Sequence, residues 1–205
     1  MEKQNICSFV GRCDVVMSRK HRVWYPGAMY HITARGNKRS VIFIHELDYI
    51  NYLNYIEEVR AMYPFKIHSY CLMSNHLHLQ LQTIDHSISE IMKELHSRYA
   101  IYFNKTYRVS GHVFQGRYGS KLIEDDEYFL TVSRYIHRNP LEAKMVTSLE
   151  EYPWSSYADY VLNKCNKTIS KEKTMKLFPE PFVTYYRRFV QTGSLKEEDK
   201  QCQLK

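Results

Sequence analysis

The segment His76-Leu77-His78-Leu79-Gln80-Leu81-Gln82 alternates polar side chains with leucines. On an extended strand this spacing sends the leucines to one face and His76 and His78 together to the other. Two imidazoles placed so can hold one cation, or they can stand as internally satisfied or solvent-facing histidines. Further along, Tyr135 and Asn139 lie four residues apart and so share a helical face, with Pro140 expected to halt the helix just after the Asn. Tyr128, Val132 and Tyr135 also make a helical stripe, which taken alone is a core-packing pattern. In conjunction, the imidazole pair, the phenol and the amide suit attack on a phosphodiester. Its anionic oxygens repel nucleophiles, so a divalent ion that neutralises and orients them is useful. His76, His78 and Asn139 would leave coordination positions open for phosphate oxygens, and imidazole with amide oxygen suits Mg²⁺ or Mn²⁺ better than a closed zinc cage. A tyrosine hydroxyl, with a reference pKa of about 10, is a weak nucleophile at neutral pH. The phosphotyrosine it leaves conserves the energy of the broken bond, so a strand could be cut and rejoined without ATP.

These residues need elements to position them. Met29 to Arg35 sets Tyr30, Ile32 and Ala34 against His31, Thr33 and Arg35, the period-two pattern of a half-buried strand closing at Gly36-Asn37. Leu47 to Tyr63 carries the 3.6-residue stripe of an amphipathic helix ended by Pro64. Phe65 to Leu72 and His76 to Thr83 read as strands joined through Met73-Ser74-Asn75 as an antiparallel hairpin. A second helical stripe runs from Ile88 to Asn104, and Gly111 to Ile123 reads as a strand loosened by Gly116 and Gly119. The order βαββαβ is the ferredoxin-like split βαβ unit, an α+β antiparallel sheet with both helices on one face. A further helix, Asp125 to about Asn139, could cover part of the other face and bring Tyr135 to the histidines. Beyond Pro140, Tyr152 to Tyr157 reads as a packed turn and Val183 to Gln191 as a short basic, aromatic helix.

Composition narrows the classes. The 205 residues carry 29 Lys+Arg against 22 Asp+Glu, a formal charge of +7, and the isoelectric point is near 9.0. With 18 tyrosines, such a chain can attract a polyanion and stack on its bases. A mean hydropathy of −0.51 and the lack of a long apolar run argue against a membrane span. Five scattered cysteines without a CxxC pair suggest neither a disulfide framework nor a zinc knuckle, so a reducing, cytoplasmic setting is expected. Basic residues sit where nucleic acid would need them: Arg35, Lys38 and Arg39 after the first strand, Arg117 and Lys121 on the fourth, Arg134 and Arg138 beside the Tyr135 turn.

Five ordered blocks carry a resemblance: Tyr30-His31-Ile32-Thr33-Ala34-Arg35-Gly36-Asn37, Met73-Ser74-Asn75-His76-Leu77-His78-Leu79, Gly111-His112-Val113-Phe114-Gln115-Gly116-Arg117-Tyr118, Tyr135-Ile136-His137-Arg138-Asn139-Pro140 and Pro153-Trp154-Ser155-Ser156-Tyr157. Over roughly residues 17–160 the chain resembles the REP-associated tyrosine transposases, within the single-tyrosine HUH transposases. The resemblance implies a catalytic Tyr135, Mg²⁺ or Mn²⁺ held by His76, His78 and Asn139, and attack on single-stranded, hairpin-bearing DNA that leaves a 5′-phosphotyrosine and a free 3′-OH. The matched span reads as a transposase domain at 17–160; outside it, residues 1–16, which show no clear period, read as a flexible lead-in and 161–205 as a partly helical extension. A monomer or a homodimer fits equally. The reading from another class is a non-catalytic single-strand-binding module on the same sheet.

Overall fold

The computed structural model describes residues 23–162, 164 and 166–192. The expected lead-in at 1–16, the start at Met17 and the last thirteen residues lie outside the described residues. Strand β1 (Met29–Arg35) is followed by α1 (Glu46–Met62), β2 (Phe65–Met73), β3 (His76–Thr83), α2 (Ile88–Tyr107) and β4 (Gly119–Ile123). The four strands form one antiparallel sheet in the order β2-β3-β1-β4. β1 and β2 therefore run the same way with β3 between them, which is the expected split βαβ arrangement.

Strand register decides what each face holds. Tyr30, Ile32 and Ala34 stand opposite Leu81, Leu79 and Leu77, and all six are buried in the core to which α1 and α2 contribute Tyr52, Ile56, Leu95 and Tyr99. Asp48 ties those two helices together: it accepts the Ile44 and His45 amides at the start of α1 and the Tyr102 and Tyr107 hydroxyls from α2. On the opposite face, α3 (Asp126–Glu142) lies mainly over β2 and less over β3. Gln80, buried on that face, donates to the Phe129 carbonyl.

Two sequence expectations are corrected. The run from Gly111 is not extended throughout: Gly111 and Gly116 sit at φ +98 and +76, left-handed values that a strand cannot carry, and β4 begins only at Gly119. A single bridge between Gly36 and Phe114 holds the loop to the end of β1. The second correction concerns Pro140, which does not end α3. It falls in the last turn, where its missing N–H forfeits one helical bond, and the chain goes on to close Ala143 N–H on the Asn139 carbonyl.

Beyond α3 the described residues include the shorter α-helices α4 (Tyr157–Val161), α5 (Glu172–Lys176) and α6 (Phe182–Thr192). The packed turn before α4 bridges Ser155 to Cys71 of β2, and Ile169 bridges to Ile67, so this region lies along the β2 edge. Among the described residues, no helix is long and apolar enough to cross a membrane.

Candidate active site

Pairing of β1 with β3 sets Thr33 opposite His78 and Arg35 opposite His76, on the face away from the leucines. These four residues, with Arg117 and Tyr135, line a cleft of about 370 Å³ at the end of the two central strands. Gly119 of β4 floors it beside Thr33: a β-carbon there would come within 2.6 Å of the Thr33 hydroxyl, so glycine keeps the cleft open at this edge.

The imidazoles are fixed through their Nδ1 atoms. His76 Nδ1 lies 2.7 Å from Asn75 Oδ1, an acceptor, so Nδ1 carries the proton and Nε2 keeps its lone pair. His78 Nδ1 lies 3.1 Å from Nε2 of His31, and if His78 donates in that pair its own Nε2 is likewise left basic. The two rings stand perpendicular with centroids 5.2 Å apart. Burial, reinforced by the neighbouring His31, lowers the His78 pKa to about 3, and burial with the nearby Lys121 lowers His31 to about 4. Burial also lowers His76, against a hydrogen bond with the Asn139 side chain that raises it. All three imidazoles are thus neutral at physiological pH, the form in which imidazole ligates a metal.

The α3 helix brings Tyr135 and Asn139 to this face. Tyr135 is 51% exposed, so it is not part of the core stripe that Val132 and Ile136 join. Its ring stands edge-on to His31 and His78, at centroid distances of 5.6 and 5.3 Å. One turn later, Asn139 donates through Nδ2 to the Tyr135 carbonyl, and its side chain lies near enough to His76 to raise that imidazole's pKa. Asn139 is therefore in contact with one imidazole of the pair and one turn from the phenol. Two imidazoles, backed by Asn75 and His31, and an adjoining amide are a donor set that fits a divalent ion with open positions.

His31 escaped the sequence reading as a site residue. The alternation of β1 already put it on the face of Thr33 and Arg35, but only the pairing of β1 with β3 brings it against His78.

Of the seven basic residues singled out, Arg35, Lys38, Arg39, Arg117 and Lys121 are exposed. Lys38 and Arg39 sit in a tight turn with left-handed φ of 52 and 63, and Lys121 lies 4.3 Å over the Tyr128 ring. Arg134 and Arg138 point elsewhere: both donate to carbonyls at the end of α6, and Arg138 also pairs with Glu142.

Comparison with known proteins bears on the fold and the family. A REP-associated tyrosine transposase described from Haemophilus influenzae is 26% identical over 154 residues, 69% of this chain and 86% of that protein. The solved structure of a REP-associated tyrosine transposase bound to a REP hairpin superposes with a TM-score of 0.61 at 19% identity, over 75% of this chain and 94% of that one. The family model for IS200-like transposases matches residues 25–139, from the turn before β1 to Asn139. This match takes in both central strands, the two histidines and Tyr135, and by it the chain belongs to the IS200-like transposase family.

Proposed function

We propose that the protein cleaves and rejoins single-stranded DNA through a covalent 5′-phosphotyrosine at Tyr135, and that the DNA bears a hairpin. The observation that carries this reading is the half-exposed Tyr135 standing edge-on to His31 and His78 while Asn139, one turn on, adjoins His76. In the step proposed, the Tyr135 hydroxyl oxygen forms a bond to the scissile phosphorus and gives up its proton. The bond to the 3′ oxygen breaks, and that oxygen takes a proton to become a free 3′-OH. Reversal with another 3′-OH restores a phosphodiester and frees the phenol.

His76, His78 and Asn139 would hold Mg²⁺ or Mn²⁺, which supplies charge neutralisation and orientation of the phosphate. Asn75 fixes the tautomer of His76, and His31 holds the orientation of His78. Arg35, at the mouth of the cleft, and the exposed Lys38, Arg39, Arg117 and Lys121 provide the cationic surface for a single strand. The hairpin is suggested by the solved relative, which is bound to a REP hairpin.

Tyr135→Phe keeps the ring and removes the nucleophile. Incubated with Mn²⁺ and a pool of hairpin oligonucleotides with randomised single-stranded flanks, the native chain is expected to yield a protein–DNA adduct that survives denaturation, and the variant none. DNA affinity should be the same for both. An adduct from the variant would sink the assignment, and no adduct from the native chain despite binding would favour the non-catalytic module.

A further inference from the structure

Helix α3 is held on two of its sides by the chain that follows it. Successive residues turn by about 100° around a helix, so residues 133 and 137, 134 and 138, and 135 and 139 make three separate stripes. The third faces the cleft. On the first, Ser133 and His137 are fully buried and enter a polar chain with Tyr186 of α6 and Ser156. The Tyr186 hydroxyl is 2.8 Å from Ser133 Oγ and 2.8 Å from His137 Nδ1, and His137 Nε2 is 2.8 Å from Ser156 Oγ. Ser156 in turn accepts the Tyr70 amide of β2 at 2.9 Å. Every member can be satisfied at once: Ser133 donates to Tyr186, Tyr186 to His137 Nδ1, and His137 Nε2–H to Ser156, which donates to the Tyr70 carbonyl. On the second stripe, Arg134 Nε donates to the Phe189 carbonyl, and Arg138 Nη1 to those of Val190 and Gln191. These belong to the last turn of α6, where carbonyls lack helical partners and the macrodipole favours a cation.

We propose that α6 is a brace for the nucleophile, and that Tyr186, His137 and Arg138 are positioning residues that fix the roll of α3 and so aim Tyr135 and Asn139 at the cleft. The inference rests on Tyr135 being the nucleophile. Hydrophobic contact alone is a poor guard against roll, because apolar packing is not directional, whereas hydrogen bonds on two stripes are. The lever is steep. With side chains the helix has a radius of about 5–6 Å, so a roll of about 10° moves a phenol oxygen at its rim by about 1 Å. A misplacement of that size can cost a reaction about 10²-fold.

The test compares Tyr186→Phe and Arg138→Ala with the native chain and with Tyr135→Phe, using Mn²⁺ and the same hairpin pool. Tyr186→Phe keeps the buried ring stacked on Phe182 and loses only the hydroxyl. For both brace variants the expected result is a rate of adduct formation at saturating DNA lowered by about 10- to 100-fold. DNA affinity should stay unchanged, and amide hydrogen exchange should quicken in α3 but not in α2. If Tyr186→Phe fails to fold, Arg138→Ala, at a half-buried position near the surface, decides alone. Native rates in the folded brace variants beside an inactive Tyr135→Phe would overturn the brace and leave the nucleophile standing. Weaker DNA binding at an unchanged rate in Arg138→Ala would also overturn it, by making Arg138 a phosphate contact. An adduct from Tyr135→Phe would instead remove the reading on which the brace rests.

Discussion

As the proposed nucleophile, Tyr135 must be open enough to meet a phosphate and yet held still, and its ring stands T-shaped to two imidazoles while half its surface faces solvent. One of these imidazoles, His31, acts on the other. By engaging His78 Nδ1 it orients a ring whose Nε2 is the proposed ligand, and outer partners of this kind are worth about 10- to 100-fold in metal affinity. His31→Ala is therefore expected to raise the Mn²⁺ concentration for half-maximal adduct formation by about that factor, with little change in melting temperature. A metal titration followed by thermal unfolding of both chains checks this, and an unaltered Mn²⁺ requirement would dismiss the role. His76, His78 and Tyr135 were legible in the sequence because side-chain alternation and helical spacing are local rules. His31 was not, because nothing local states which residue of β3 it will face.

At the scale of elements, the strands and long helices follow from the sequence because each buries a regular stripe, and the departures fall where regularity ends. Pro140 reads as a stop in sequence, yet a proline in a last turn sacrifices only one bond, and the core beneath, where Pro140 is itself buried, outweighs it. The glycines of 111–118 loosen the chain until it ceases to be a strand. Gly36 does the opposite service at the end of β1: a β-carbon there would collide with the Ser40 carbonyl and crowd the Ile42 side chain, so glycine lets the Asn37–Arg39 turn fold back tightly. Gly36→Ala is expected to cost about 1–3 kcal/mol. For a chain of this size each kcal/mol lowers the melting temperature by about 2–4 °C, which calorimetry would detect. A melting temperature equal to the native one would show that the turn has slack.

Across the whole molecule, charge and pH act together. With Arg134 and Arg138 committed to α6, five exposed cations remain from the seven. If four or five meet phosphates, the logarithm of single-strand affinity should fall against the logarithm of salt with a slope of about −3 to −3.5. A slope near zero in fluorescence anisotropy would dissociate these residues from DNA. Acid acts on the buried imidazoles, His31, His78 and His137 among them, and also on His96, which does not line the cleft. His96 stacks on Phe114 at 4.1 Å, its Nε2 is buried without a partner, and burial lowers its pKa from 6.5 to about 3. Between those values the unfolded chain holds a proton that the folded chain refuses at His96, so this contribution to stability is full above about 6.5 and is lost as pH falls toward 3. His96→Phe, keeping the stack, should flatten the decline of melting temperature between pH 7 and 5, and an equally steep decline would place the acid sensitivity elsewhere.

The three stripes of α3 also determine which kinds of genetic change the protein can survive. A substitution alters one stripe at one point, but an insertion changes the phase of everything downstream. One extra residue between Asp125 and Ser133 would turn the rest of the helix by about 100°. Tyr135 and Asn139 would then occupy the buried azimuth of Ile136 and Pro140, and Arg134 and Arg138 would swing into the cleft. Along these few turns, length is a stricter inheritance than identity, whereas the glycine-broken loop at 111–118 has no phase to lose.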